Sequence, residues 1–168
     1  MPRQWITAHR LLAGFGSSEA PDPVKRGSTT IGWGGFTVTT THAGGVEAHL
    51  EVYVRAFNSG DPDAVNEHYT DEAVSAWDPE QPLSGQARKD SLAEFLAQKP
   101  TLTAKIRESH VTRDTALLTV DWTMEVPGEN GDVERLSGIG TDVLTRGADG
   151  NWRYTVDAPY GDPRNTAE

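Results

Sequence analysis

The chain has 168 residues, no cysteine and a formal net charge of −10, a length that allows one domain with a sizeable core plus an appendage. The missing cysteines exclude a disulfide framework, a thiolate nucleophile and a cysteine-ligated zinc, and suit a cytoplasmic protein. The acidic balance repels phosphate backbones and argues against nucleic acid as a partner; no stretch approaches the roughly 20 apolar residues that span a bilayer, which argues against a membrane.

The start, MPRQWITAHRLLAGFG, holds an apolar patch broken by His9 and Arg10, a poor signal peptide. Residues 1–45 carry Arg3, Arg10, Lys25 and Arg26 against Glu19 and Asp22, a balance of +2 that leaves −12 for the remainder. They also hold eight of the 17 glycines and no sustained helical period, so a poorly ordered leader is expected over 1–45. Phe36–Thr40 has the composition of a short strand, which leaves an N-terminal hairpin as the alternative.

From Val46 the pattern sharpens. Val46, Leu50, Tyr53, Val54 and Phe57 recur at helical spacing. Ser59-Gly60 ends that helix, Asp61 suits an N-cap and Pro62 the first position of the next. Ala64, Val65, His68 and Tyr69 form the inner face of this second helix. Ala73–Trp77 reads as a strand closed by Asp78-Pro79. A third helix runs from about Gly85 to Lys99, with Ala87, Leu92, Phe95 and Leu96 as its apolar residues and Pro100 as its stop. Strands follow at Thr103–Thr112, Ala116–Val126, Asp132–Arg146 and Trp152–Ala158. Arg113-Asp114, Asn130-Gly131 and Asp149-Gly150 sit in the connections, the last two being strong hairpin dipeptides. Helices on one face of an antiparallel sheet make an α+β domain, expected over 46–162 with a tail at 163–168.

The order of YVRAFNSGD, DPDAVNEHYTDEAV, the Asp-Pro turn, Ser-Gly before the third helix and DG-x-W in the last hairpin resembles the nuclear transport factor 2-like superfamily. Within it the chain resembles the branch of ketosteroid isomerases and SnoaL-like polyketide cyclases, over roughly Val46–Gly161. The resemblance implies a cone-shaped, curved antiparallel sheet wrapped around three N-terminal helices. It implies a cavity between them, and a homodimer through the sheet. The fold hosts enzymes, ligand binders and assembly modules.

Ketosteroid isomerases pair an aspartate base with a tyrosine and a neutral aspartic acid as oxyanion donors. The resemblance carries the tyrosine to Tyr53 without a gap, the base to Asp78 in AWDP, and the second donor to Asp142 in GIGTDVLTR. There is one extra residue between the second helix and the Asp-Pro turn, and a one-residue slip in a strand reverses the face of a side chain. Either a bulge absorbs it or Trp77 takes the inward place. Each residue also has a plainer role: Tyr53 as a core tyrosine, Asp78 as a turn residue, Asp142 as a solvent or dimer-interface residue. Phe57, Tyr69, Trp77, Trp122 and Tyr154 are the candidate walls of a substrate pocket, or core packing. Asp157 reads as a strand-end hydrogen-bonding residue, Asp121 is ambiguous, and His68 is a candidate acid or base at the cavity mouth. His49, His68 and His110 form no metal-binding spacing, and no nucleotide loop is present, so neither metal nor cofactor is expected. The functional expectation is a small-molecule-binding domain, as a cofactor-independent isomerase or cyclase acting on a hydrophobic carbonyl compound. The alternatives are a non-catalytic binder of a hydrophobic small molecule or a dimerisation module.

Overall fold

The structure, a computed structural model, describes residues 43–128 and 130–161. The leader up to residue 42, its Phe36–Thr40 strand and the 163–168 tail lie outside the described residues. The elements are α1 (Ala43–Ser59), α2 (Pro62–Asn66), β1 (Tyr69–Ser75), β2 (Leu83–Ser84), α3 (Gly85–Leu96), β3 (Thr101–Val111), β4 (Thr115–Pro127), β5 (Val133–Arg146) and β6 (Trp152–Ala158).

The joint between α1 and α2 is built by local chemistry. Gly60 takes φ +74°, the left-handed conformation that favours glycine after a helix. The Asp61 carboxylate then accepts from the Asp63 and Ala64 amides at 2.9 and 3.4 Å, which caps α2. Two residues before Gly60, Asn58 is bonded in both directions to Leu102: its side-chain amide donates to the carbonyl at 2.9 Å and its oxygen accepts from the backbone N–H at 2.7 Å. Asn58 thereby fixes the end of α1 against β3.

The strands form one sheet in the order β2-β1-β6-β5-β4-β3, curved around the helices. The expected antiparallel sheet is found with one correction: β1 pairs with β6 in parallel. Strands β3 to β6 follow one another through turns, as antiparallel neighbours can. β1 reaches β6 only after α3 and four strands have intervened, and such a crossover permits parallel pairing. β1 also begins earlier and ends earlier than expected. Tyr69 opens it, and Trp77 and Asp78 fall beyond its end.

β4 alternates strictly, with Ala116, Leu118, Val120, Trp122, Met124 and Val126 buried and the residues between them partly or fully exposed. Its buried row meets Val46, Leu50, Tyr53 and Phe57 of α1 and Phe95 and Leu96 of α3 in one core. Each fully buried large side chain contributes about 1.5–3 kcal/mol. Among the described residues no helix is long and apolar enough to cross a membrane.

Candidate functional site

A cavity of about 50 Å³ lies inside this core, walled by Leu50, Tyr53, Phe57, Trp77, Leu102, Ala104, Val120, Trp122, Met124 and Tyr154, with Gly140, Asp142, Asp157 and Pro159 completing it. Space of that size corresponds to a few water molecules at about 10–15 Å³ each. Its polar groups are concentrated at one end, where two carboxyl groups meet.

Asp142 on β5 and Asp157 on β6 are direct cross-strand partners. A bulge produces this meeting. Leu144 pairs with Tyr154 and Val143 with Val156, so Thr155 is the extra residue in β6. Trp152 and Tyr154 face inward, and strict alternation from them would turn Asp157 outward. The extra residue reverses the face beyond it, and Asp157 comes to line the cavity beside Asp142.

The two carboxyls have unequal company. Asp157 Oδ2 accepts from the Tyr69 hydroxyl at 2.7 Å and, more weakly, from Ser75 Oγ at 3.4 Å. Asp142 Oδ1 accepts from the Ala158 amide at 3.3 Å. Burial pushes the Asp142 carboxyl well above the usual carboxylate range, and the charge of Asp157 pushes it further. Burial raises Asp157 as well, but the Tyr69 and Ser75 hydroxyls and the positive charge of Arg88 pull it back. Two carboxyls this close do not both ionise readily. The donors on Asp157 make it the more acidic of the two.

Tyr53 Oη lies 3.0 Å from Tyr69 Oη. Since Tyr69 donates its one proton to Asp157, Tyr53 donates to Tyr69, and the chain runs Tyr53→Tyr69→Asp157. Burial, with Asp157 adding to it, raises both phenols, and burial raises Tyr154 too. All three therefore stay neutral donors at physiological pH. Behind them, His49 is 9% exposed and its Nε2 has no hydrogen-bond partner among the described residues. Burial, then the charges of His68 and Arg153, lowers His49 to about 4, so its ring is neutral.

The sequence-predicted residues divide as follows. Tyr53, Asp142, Phe57, Trp77, Trp122 and Tyr154 all line the cavity. Tyr69 does not; it stands behind the wall and links Tyr53 to Asp157. Asp78 does not reach the cavity either, which corrects its placement as a base. Because β1 ends at Ser75, Asp78 falls in the following turn, where Oδ1 accepts from the Glu80 amide at 2.9 Å. Trp77 takes the inward place. Asp121 lies on the outer face, paired with Arg107. His68 is half-buried outside the cavity wall, its ring against those of His49 and Tyr53. Asp157, read from the sequence only as a strand-end hydrogen-bonding residue, is the second acid of the site. The one signal for it was its register with Asp142, which depends on the bulge.

Trp122 is held flat across β5. Its indole N–H donates to the Pro159 carbonyl at 2.7 Å. A Cβ on its cross-strand neighbour Gly138 would lie 2.8 Å from the indole ring. Only glycine leaves that room.

Among the described residues no group of three or more His, Asp or Glu side chains is arranged to hold a metal ion. The profile of the SnoaL-like domain family matches residues 50–155. The chain belongs to the SnoaL-like domain family. It matches no curated protein. Among solved structures it is similar to a ketosteroid isomerase-like protein from Erwinia carotovora atroseptica, with 23% identity, TM-score 0.58, and coverage of 70% of this chain and 94% of that one. It is also similar to a nuclear transport factor 2-like superfamily protein from Salmonella enterica serovar Typhimurium, with 15% identity, TM-score 0.61, and coverage of 75% and 96%. A conserved protein from Planctomyces limnophilus gives 16% identity, TM-score 0.63, and coverage of 68% and 91%. At these identities the likeness is one of fold: this SnoaL-like domain has the fold of those nuclear transport factor 2-like and ketosteroid isomerase-like proteins.

Proposed function

We propose that this SnoaL-like domain binds a small, largely apolar carbonyl compound and moves a proton on it, as a cofactor-independent isomerase or cyclase. The observation that carries the reading is the facing pair Asp142 and Asp157 at the polar end of an otherwise apolar cavity. One carboxyl is ionised and one is protonated, which supplies a base and a donor together. Asp157 takes a proton from the carbon next to the carbonyl. Asp142 donates a hydrogen bond to the oxygen as it becomes an enolate. Asp157 then returns the proton at another carbon, so no net charge or electron is consumed. The role that resemblance gave to Asp78 passes in this reading to Asp157.

The cavity volume of about 50 Å³ favours a compact substrate over a fused-ring one such as a steroid. It also supports the second reading, a binder without turnover. For a macromolecular partner we propose a second copy docked on the outer face of the sheet. Leu117 is 41% exposed there, with Val143 opposite it and Val156 next in the row. The cysteine-free composition is the ground for a cytoplasmic setting.

The test is deuterium exchange at the α-carbon of small cyclic ketones in heavy water, followed by NMR with wild type, Asp157→Asn and Asp142→Asn. General-base loss predicts at least about a 100-fold slower exchange for Asp157→Asn. Equal exchange by wild type and Asp157→Asn removes the proton-transfer reading. Binding without exchange in the wild type leaves the binder.

A further inference from the structure

Arg88 on α3 is a cation placed where cations are rarely found. It is 4% exposed. Its Nη2 donates to Asn66 Oδ1 at 2.9 Å, and its guanidinium carbon lies 4.2 Å from the centre of the Tyr69 ring. Among the described residues no carboxylate forms an ion pair with it. A guanidinium taken out of water without a counter-charge is strongly destabilising. The buried negative charge in its neighbourhood is that of Asp157, bonded to the far end of the same Tyr69.

We infer that Arg88 is a positioning residue for the carboxyl pair: stacked on Tyr69, it fixes the negative charge on Asp157 and leaves the proton on Asp142. This rests on the proposed function for its significance, but not for its test. The guanidinium is planar and stacks flat over an aromatic face as well as carrying its charge there, whereas an ammonium interacts only as a point cation. It pins the Tyr69 ring so that the hydroxyl stays 2.7 Å from Asp157. Its charge acts across a low-dielectric interior, where attraction is stronger than in water. The groups facing Asp157 are Asp142 from β5, Tyr154 from its own strand, Tyr69 and Ser75 from β1, Tyr53 from α1 and Arg88 from α3. Arg88 is the cation among them. It breaks the symmetry of a pair that is otherwise two like carboxyls on paired strands.

The experiment is carboxyl 13C NMR of aspartate-labelled full chain against pH, without ligand, with the two signals assigned by Asp142→Asn and Asp157→Asn. Wild type is expected to show Asp157 ionised and Asp142 protonated at neutral pH. Arg88→Met is expected to raise the Asp157 midpoint by about one pH unit or more. Arg88→Lys, which keeps the charge, is expected to stay within about half a unit of wild type. An unchanged Asp157 midpoint in Arg88→Met, or a wild type whose charge sits on Asp142, overturns the inference. If Arg88→Met does not fold, the wild-type order of ionisation and the Arg88→Lys midpoint decide by the same criteria. Because no ligand is used, failure here is separate from failure of the ketone-exchange test.

Discussion

Replacing Tyr69 by phenylalanine deletes one oxygen and leaves the ring against Arg88. That oxygen accepts from Tyr53 at 3.0 Å and donates to Asp157 at 2.7 Å. A hydrogen bond to a charged group contributes about 1.5–3 kcal/mol, and a buried group left unsatisfied costs a similar amount. With Tyr69 gone, Asp157 keeps only the 3.4 Å contact from Ser75. The expected loss at pH 7 is therefore about 2 kcal/mol or more, a fall of roughly 1 M in the urea midpoint. The pH dependence is the sharper part. Burial leaves Asp157 with a folded pKa above its unfolded value, so the folded state binds the proton more tightly. Stability from this group falls as pH rises past the unfolded value of about 3.9 and through the folded one. Removing the Tyr69 hydroxyl raises the folded value further, so the variant's deficit should grow from pH 4 to pH 7. Urea denaturation of both proteins at the two pH values measures this. A deficit equal at pH 4 and pH 7 would show that the hydroxyl does not solvate an ionised Asp157.

His49 gives the opposite slope. Burial holds it at about 4 when folded against about 6.5 unfolded, so its contribution is complete above pH 6.5 and is lost as pH falls toward 4. Between pH 7 and 4.5 the wild type should lose roughly 2–3 kcal/mol more than His49→Leu; parallel urea curves for the two would refute this. Gly138→Ala places a methyl 2.8 Å from the Trp122 indole, which Pro159 holds in place. The expected cost is about 1–3 kcal/mol with a red-shifted tryptophan emission, and an unshifted spectrum at full stability speaks against the packing. Leu117→Lys puts a charge on the outer sheet face. Light scattering should show a dimer mass for wild type and a monomer mass for the variant, and a monomeric wild type ends the second-copy proposal.

Much of the architecture was legible because it rests on short-range chemistry. The helical spacing of Val46, Leu50, Tyr53 and Phe57, the glycine and aspartate between α1 and α2, and the Asn130-Gly131 and Asp149-Gly150 turns each act within a few residues. Gly131 and Gly150 do take positive φ of 82° and 81°. The strict alternation of β4 likewise showed which side of that strand is buried. These features carried the fold and put Tyr53 on the inner stripe of α1, while Asp142 was singled out by the resemblance.

What the sequence determined by itself was the order of the three helices and the four long strands and the inner faces of α1 and β4, since periodicity and capping are properties of neighbouring residues. The tertiary structure decided which acid stands beside Asp142. The resemblance put a base at Asp78, after a run of strand-like residues, yet β1 stops three residues earlier and Asp78 closes a turn instead. Asp157 read as a strand-end hydrogen-bonding residue, yet the bulge at Thr155 turns it inward beside Asp142. A bulge is set by how two strands pair across a sheet, and nothing in the sequence of one strand records it. The same holds for Arg88, whose counter-charge is 69 positions away in sequence and reaches it only through Tyr69 once β1 and β6 lie side by side.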